Sequence, residues 1–319
     1  MKILVTPTSL TPDKKSAALD ALRSFADEII YNPHGRPLVQ AELKELLAGC
    51  DGFVAGLDYI DADVINSCDK LKVISRYGAG VDRVDLEAAK AKGIVVCNTP
   101  GANTQAVADL TLGLMLAVAR KIPVLDAKTK AGGWVRSTGM ELYGKTLGIM
   151  GLGSIGKAVA KRALGFSMKV LAYGPRINTP VQKEYCDANG IITATVEEVA
   201  KQSDFISLHS PLIPETRHII NSELMQMMKP GVIIVNTSRG GLIDEDAALK
   251  MLETGHLGGL GLDAFEQEPL GETEFAKYEN VVLTPHTASH TKEATTNMAD
   301  MAIQNLMDVL EGKECKYIV

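Results

Sequence analysis

Six residues constrain this chain more than any others: Gly151, Leu152, Gly153, Ser154, Ile155 and Gly156, a G-x-G-x-x-G. Alone, that pattern is a weak signal. Here it follows an apolar β-type run at 146–150 and opens an amphipathic stretch at 154–164, and the strand–turn–helix setting makes it strong. Gly151 permits the tight turn, Gly153 lets the backbone approach a pyrophosphate, and Gly156 lets the helix pack on the strand. A pyrophosphate would then sit at the helix N-terminus, facing unpaired N–H groups and the positive end of the helix dipole. The rival is a glycine turn with no ligand, but three glycines at this spacing serve little packing purpose.

About 20 residues further on, such a fold normally ends its next strand in an acidic residue for the adenosine ribose. The strand expected at 169–173 is followed instead by Gly174, Pro175 and Arg176. A carboxylate there would repel a 2′-phosphate, whereas an arginine can hold one bidentately. The expected cofactor is therefore NAD(H) or NADP(H), with Arg176 leaning toward NADP(H). The rival reading makes Arg176 a solvated loop residue and leaves NAD to bind through its other contacts.

Around this turn the chain alternates strand and helix patterns. Strands are expected at 2–6, 53–55, 71–75 and 94–97, then at 146–150, 169–173, 205–208, 232–236, 259–262 and 281–284. Helices are expected at 13–26, 85–92, 154–164 and about 291–311, with no further strand until the last residues. That alternation predicts parallel βαβ units. Pro100, Gly101, Ala102 and Asn103 interrupt the pattern, and an apolar stretch at 106–120 follows. Its hydrophobicity runs nearly all round, which suits a buried helix in an inter-domain or inter-subunit core. At roughly 100–200 residues per domain, 319 residues favour two domains. The expected organisation is a dinucleotide-binding domain at 99–289 inserted into a substrate domain built from 1–98 and 290–319.

Composition narrows the class. The net charge of −6 argues against a non-specific nucleic-acid binder, which usually carries a basic patch. No apolar run approaches the 18 or more residues of a membrane span, and the start lacks the apolar core of a secretory signal. The five cysteines, Cys50, Cys68, Cys97, Cys186 and Cys315, are scattered. No C-x-x-C occurs, so neither a zinc site nor a disulfide framework is suggested. A cytoplasmic enzyme without a metal, a membrane or a nucleic acid as partner is the expectation.

Three segments of the second half each follow an expected strand: Asn236 to Gly241, Asp263 to Pro269, and Thr284 to Ser289. Loops at the carboxyl ends of parallel strands line the ligand crevice, so Arg239, Glu268 and His286 are expected to converge. The chemistry of 2-keto acid reduction wants these types. Arginine binds the carboxylate and polarises the carbonyl. Histidine exchanges the proton near neutrality. A carboxylate orients the ring and favours its charged form. Taken singly, each has a plainer reading: a structural histidine, a turn glutamate before proline, a loop cation. Their common placement after strands outweighs these. His209 is read as a cofactor-loop or structural residue; His34, His218, His256 and His290 are read as surface or structural.

At these residues the chain resembles the D-isomer-specific 2-hydroxyacid dehydrogenases, especially the phosphoglycerate dehydrogenase branch. The resemblance covers nearly all of the chain. It is carried by Arg76-Tyr77-Gly78-Ala79-Gly80-Val81-Asp82, Asn98-Thr99-Pro100, the glycine turn, and the three segments above. It implies an α/β protein with a Rossmann domain inserted into a flavodoxin-like substrate domain. It also implies a homodimer built on the 106–120 region, with Trp134 reaching across. By resemblance, Arg239 binds substrate, His286 is the acid/base and Glu268 its partner. Asp263 lies on the nicotinamide side, and Ser154, Ile155, Ser210 and Thr237 contact the cofactor. Gly78, Ala79 and Gly80 offer backbone N–H groups to the substrate carboxylate beside Arg76.

The chain departs from the family at three places. Gly174 replaces the usual aspartate. Gly56 stands where phosphoglycerate dehydrogenases place an arginine for the substrate phosphate, leaving Arg76 and Arg136 for that task. The sequence also ends at Val319, so serine feedback through the C-terminal regulatory domains of longer relatives is not expected. The resemblance implies hydride transfer between NAD(P)(H) and a small 2-keto or D-2-hydroxy acid. The alternatives are a glyoxylate/hydroxypyruvate reductase using NADPH and, in another class, an NADH-responsive corepressor-like binding protein. Formate dehydrogenases share the architecture but pair the histidine with glutamine.

Overall fold

The computed structural model describes residues 1–319, which divide into two compact units, Met1–Asn103 with His290–Val319, and Thr104–Ser289. The boundary falls at Thr104 rather than at 99. Asn98 and Thr99 explain this: the Asn98 side chain donates to the Ala79 carbonyl at 2.8 Å and the Thr99 N–H to the Gly78 carbonyl at 3.1 Å, which ties the segment to the first unit.

The first unit holds five strands, β1 (Lys2–Val5), β2 (Glu28–Tyr31), β3 (Gly52–Ala55), β4 (Val73–Arg76) and β5 (Val95–Cys97). All pair in parallel in the order β2-β1-β3-β4-β5, the flavodoxin-like order. Both faces are covered, so the inner strands β1, β3 and β4 are mostly apolar. Ile3 and Val5 pack with Leu19, Leu22 and Val73 under the long helix Lys292–Leu310 through Ala299, Ala302, Ile303 and Leu306. Leu4, Phe53, Ala55 and Ile74 fill the opposite face with Leu43, Ile65 and Val96. β2 was not expected from the sequence. It is a four-residue edge strand with no fully buried side chain, so it leaves almost no periodic signature.

The second unit holds β6 (Thr146–Met150), β7 (Lys169–Tyr173), β8 (Ile191–Thr193), β9 (Phe205–Leu208), β10 (Val232–Asn236), β11 (Leu257–Leu262) and β12 (Val281–Leu283). They form one parallel sheet in the order β12-β11-β10-β9-β6-β7-β8. This is the doubly wound Rossmann-type arrangement, and its order reverses between β6 and β9, where a ligand crevice opens. β8, a three-residue edge strand, also escaped the sequence reading. The apolar helix lies at Thr104–Ala119, and its Ala108, Leu112, Met115 and Val118 sit in the core with Leu147, Ile149, Ile233 and Val235. Its all-round hydrophobicity therefore reflects burial on this unit's own sheet. Lys121, at φ +54, then turns the chain into a second helix, Ile122–Lys130.

Candidate active site

The glycine turn leaves β6 where the sheet reverses. Gly151 has φ +107, and a Cβ there would stand 2.7 Å from the His209 carbonyl group and the Ser210 nitrogen, so only glycine lets the β6 and β9 loops approach. Gly153 caps the helix Ser154–Gly165 without a side-chain hydrogen bond, and no atom lies within 4 Å of its would-be Cβ. The helix's first N–H groups are thus uncapped by any side chain above open space, a cradle that fits a pyrophosphate. Gln182, which the sequence reading passed over, supports the fit. Its amide donates to the Leu152 carbonyl at 3.2 Å, and its Oε1 is buried with no partner. A buried orphan acceptor is costly unless something donates to it. No sequence signal marks it, because a glutamine on a short helix is ordinary.

Around this crevice the remaining expected cofactor residues fall in two groups. Arg176 is exposed, and Gly174 is buried with room for a Cβ 3.6 Å from the Leu152 nitrogen. The side chains of Ser210 and Thr237 are engaged within the protein. Ser210 Oγ donates to the Met150 carbonyl at 3.1 Å, and Thr237 Oγ1 shares a 2.9 Å hydrogen bond with Thr111 Oγ1. His209 bonds Ser207 Oγ at 2.7 Å, and burial pushes its imidazole down to about 3, so the ring is neutral.

The carboxyl ends of β10, β11 and β12 lie side by side, with Asn236 opposite Leu262 and Leu262 opposite Leu283. Each strand runs into one of the three segments singled out in the sequence. Arg239 is half-buried at the head of a short 3-10 turn, Gly240–Leu242. Its Nη1 donates to the Ser238 carbonyl at 2.8 Å, and its own carbonyl accepts from Asn236 Nδ2 at 2.8 Å. Gly240 presses so closely on the Phe265–Glu266 peptide that a Cβ would stand 1.8 Å from the Phe265 carbonyl carbon. The arginine turn therefore rests directly on the acid loop.

His286 and Glu268 meet. His286 Nδ1 lies 2.9 Å from both Glu268 oxygens, with side chains 20% and 12% exposed. Glu268 Oε1 also accepts the Phe265 N–H at 3.1 Å, which fixes the carboxylate. With Nδ1–H directed at the carboxylate, Nε2 is the nitrogen left to exchange a proton. His286 adopts φ +50, a left-handed conformation uncommon outside glycine. Asp263 holds it there: its carboxylate is 1% exposed and accepts from Thr284 Oγ1 at 2.6 Å and from the Thr287 and Ala288 N–H groups at 2.8 Å each. Burial pushes this carboxyl up, against the pull of those donors and of His286. In this structure Asp263 ties down the histidine loop, a role the sequence reading did not give it.

In the first unit, Arg76 is 2% exposed and its guanidinium donates to the carbonyls of Ala55 at 3.0 Å and Gly80 at 3.2 Å. These contacts shape the loop of Gly78, Ala79 and Gly80 from within. That loop is half-buried, and Gly78 takes φ +148. At Gly56 a Cβ would stand 3.2 Å from the Pro7 backbone.

A doubly wound parallel sheet, an open glycine cradle at its reversal point and an imidazole–carboxylate pair on the same sheet define a Rossmann-type nicotinamide dinucleotide-binding unit. Residues 112–288 match the family model of the D-isomer specific 2-hydroxyacid dehydrogenase, NAD binding domain. The chain is 43% identical over 286 residues to D-3-phosphoglycerate dehydrogenase of Methanocaldococcus jannaschii, covering 88% of this chain and 54% of that protein. It is 43% identical over 269 residues to glyoxylate reductase of Thermococcus litoralis, covering 80% and 79%. The crystal structure of TT0316 protein from Thermus thermophilus superposes with a TM-score of 0.87 at 40% identity over the whole of both chains. The chain belongs to the D-isomer-specific 2-hydroxyacid dehydrogenase family, and it spans about half the length of the phosphoglycerate dehydrogenases it matches.

Proposed function

We propose that this protein is a D-2-hydroxyacid dehydrogenase of the phosphoglycerate dehydrogenase-like kind, interconverting a small 2-keto acid and its D-2-hydroxy acid. The observation that carries this is His286 Nδ1 at 2.9 Å from both oxygens of Glu268. A bound nicotinamide would supply or accept the hydride at C2. The glycine cradle of Gly151, Gly153, Ser154, Ile155 and Gly156 would hold the pyrophosphate, with Ser210, Thr237 and Asp263 close to the remainder of the cofactor. Arg239 binds the substrate carboxylate and polarises its carbonyl. His286 delivers the proton from Nε2 to the nascent alkoxide, and Glu268 stabilises the imidazolium. In the first unit, the N–H groups of Gly78, Ala79 and Gly80 are read as a carboxylate site, shaped by Arg76.

A second reading is a glyoxylate or hydroxypyruvate reductase using NADPH. Two observations favour it. Gly174 leaves no carboxylate to repel a 2′-phosphate, and Arg176 is exposed nearby in sequence. At Gly56, the place of the family's phosphate-binding arginine, a side chain would press on the Pro7 backbone. We read the protein as a cytoplasmic homodimer; exposed Trp134, Val135 and Tyr143 offer apolar surface for a second copy.

The test is a panel of 2-keto acids, including glyoxylate, hydroxypyruvate and 3-phosphohydroxypyruvate, assayed with NADH and with NADPH. His286→Ala should lower kcat by about 10²–10⁴-fold. Full turnover in that variant would reject the assignment. Tight cofactor binding without turnover of any keto acid would favour the corepressor-like reading.

A further inference from the structure

The chemistry above makes no use of His218, yet this residue is set with unusual care. It stands at φ +50, outside the range most side chains adopt. Its N–H donates to the Gly241 carbonyl at 2.8 Å. Two residues on, the Ile220 N–H donates to the Leu242 carbonyl at 3.0 Å, and the Asp244 N–H returns to the Ile220 carbonyl at 3.0 Å. The segment at 218–220 is thereby laced to the turn that follows Arg239.

The ring reaches the other way. His218 Nε2 lies 2.5 Å from Glu266 Oε1, on the acid loop. The Glu266 N–H donates to Glu245 Oε1 at 2.8 Å, at the first residue of the helix Glu245–Glu253. One residue before Glu266, the Phe265 N–H donates to Glu268. A continuous path of short contacts therefore runs from the arginine turn through His218 and Glu266 to Glu268 and His286. The two side chains are each 34% exposed, so as a bare ion pair they contribute little to stability. What they fix is a distance between two loops.

We propose that His218 and Glu266 are positioning residues: their contact fixes the Arg239 turn against the loop carrying Glu268, so that the arginine and the imidazole address one keto acid in register. Neither residue touches the reacting atoms. The inference rests on the dehydrogenase reading. Its physical basis is that a binding group left free to move must be ordered when the keto acid binds, which costs affinity.

The test compares wild type, His218→Ala, Glu266→Gln, their double variant and His218→Gln, each checked for folding by its melting curve. His218→Ala and Glu266→Gln should each raise KM for the keto acid by about 5-fold or more, within the range that coupled residues outside a site produce. That rise should exceed any fall in kcat, and KM for the cofactor should stay within about twofold of wild type. Because both substitutions break one contact, the double variant should be no worse than the poorer single one. His218→Gln, whose amide can still donate to Glu266, should recover part of the loss. A kcat loss at unchanged KM, strictly additive effects, or melting shifts with wild-type kinetics would overturn the proposal. A wild-type protein that turns over no keto acid sinks the dehydrogenase reading itself; variants matching an active wild type sink only the role of the pair.

Discussion

At the scale of single residues, two histidines next to strand ends carry opposite chemistry because their surroundings differ. His286 is given a carboxylate partner, Glu268, at 2.9 Å, which orients its ring. His209 has only the Ser207 hydroxyl at 2.7 Å, and burial holds its imidazole neutral down to about 3. In the unfolded chain that ring takes up a proton near pH 6.5. Between those values the unfolded state binds more protons, so His209 makes stability fall as pH drops from 6.5 toward 3. His209→Gln should therefore flatten the pH dependence of the urea midpoint between pH 6.5 and pH 4.5. Equal slopes for variant and wild type would refute the assignment. The meeting of Glu268 with His286 beside the Arg239 turn was legible in the sequence because arginine, glutamate and histidine each followed a recognisable strand. The holding of the histidine loop by Asp263 was not, because its three donors come from the 284–288 loop and only the folded backbone aims them at one carboxylate.

At the scale of elements, the strand–turn–helix around Gly151 was readable in full, since Gly151 and Gly156 answer local steric demands and Gly153 leaves the cradle open. Gly156 is the strictest: a Cβ there would stand 2.1 Å from the Gly151 carbonyl oxygen, and backbone cannot step aside. Gly174 is permissive, with 3.6 Å to the nearest atom. Gly156→Ala should thus cost both stability and dinucleotide binding. Gly174→Asp should fold normally and shift the ratio of NADPH to NADH dissociation constants toward NADH by about tenfold or more, by placing a carboxylate against the 2′-phosphate. Isothermal titration with both cofactors reads this directly, and an unchanged ratio would remove the 2′-position from the neighbourhood of residue 174. Strands β2 and β8 were illegible for the converse reason. Edge strands of three or four residues, with Ile191 their one buried side chain, are too short to carry a detectable periodicity.

At the scale of the whole molecule, burial decides what the five cysteines can do. All are free thiols and all are buried. Burial pushes the thiols of Cys50, Cys68 and Cys186 up, and Cys97 rises furthest, with Cys315 3.4 Å away adding to the effect. Native protein should therefore react slowly with a thiol reagent such as Ellman's, and release all five equivalents only in denaturant. Rapid labelling of several thiols in the native state would contradict the packing. The sequence by itself determined the alternation of strand and helix, the nucleotide turn and the residue types of the chemistry, because periodicity, glycine sterics and titration range are local properties. Only the tertiary structure decided that the buried residues of the long apolar helix pack in their own unit's core, that Arg76 donates to the Ala55 and Gly80 carbonyls, and that His218 bonds Glu266 on another loop. Those outcomes depend on which distant backbone groups come within about 3 Å of one another, a quantity that no spacing along the chain encodes.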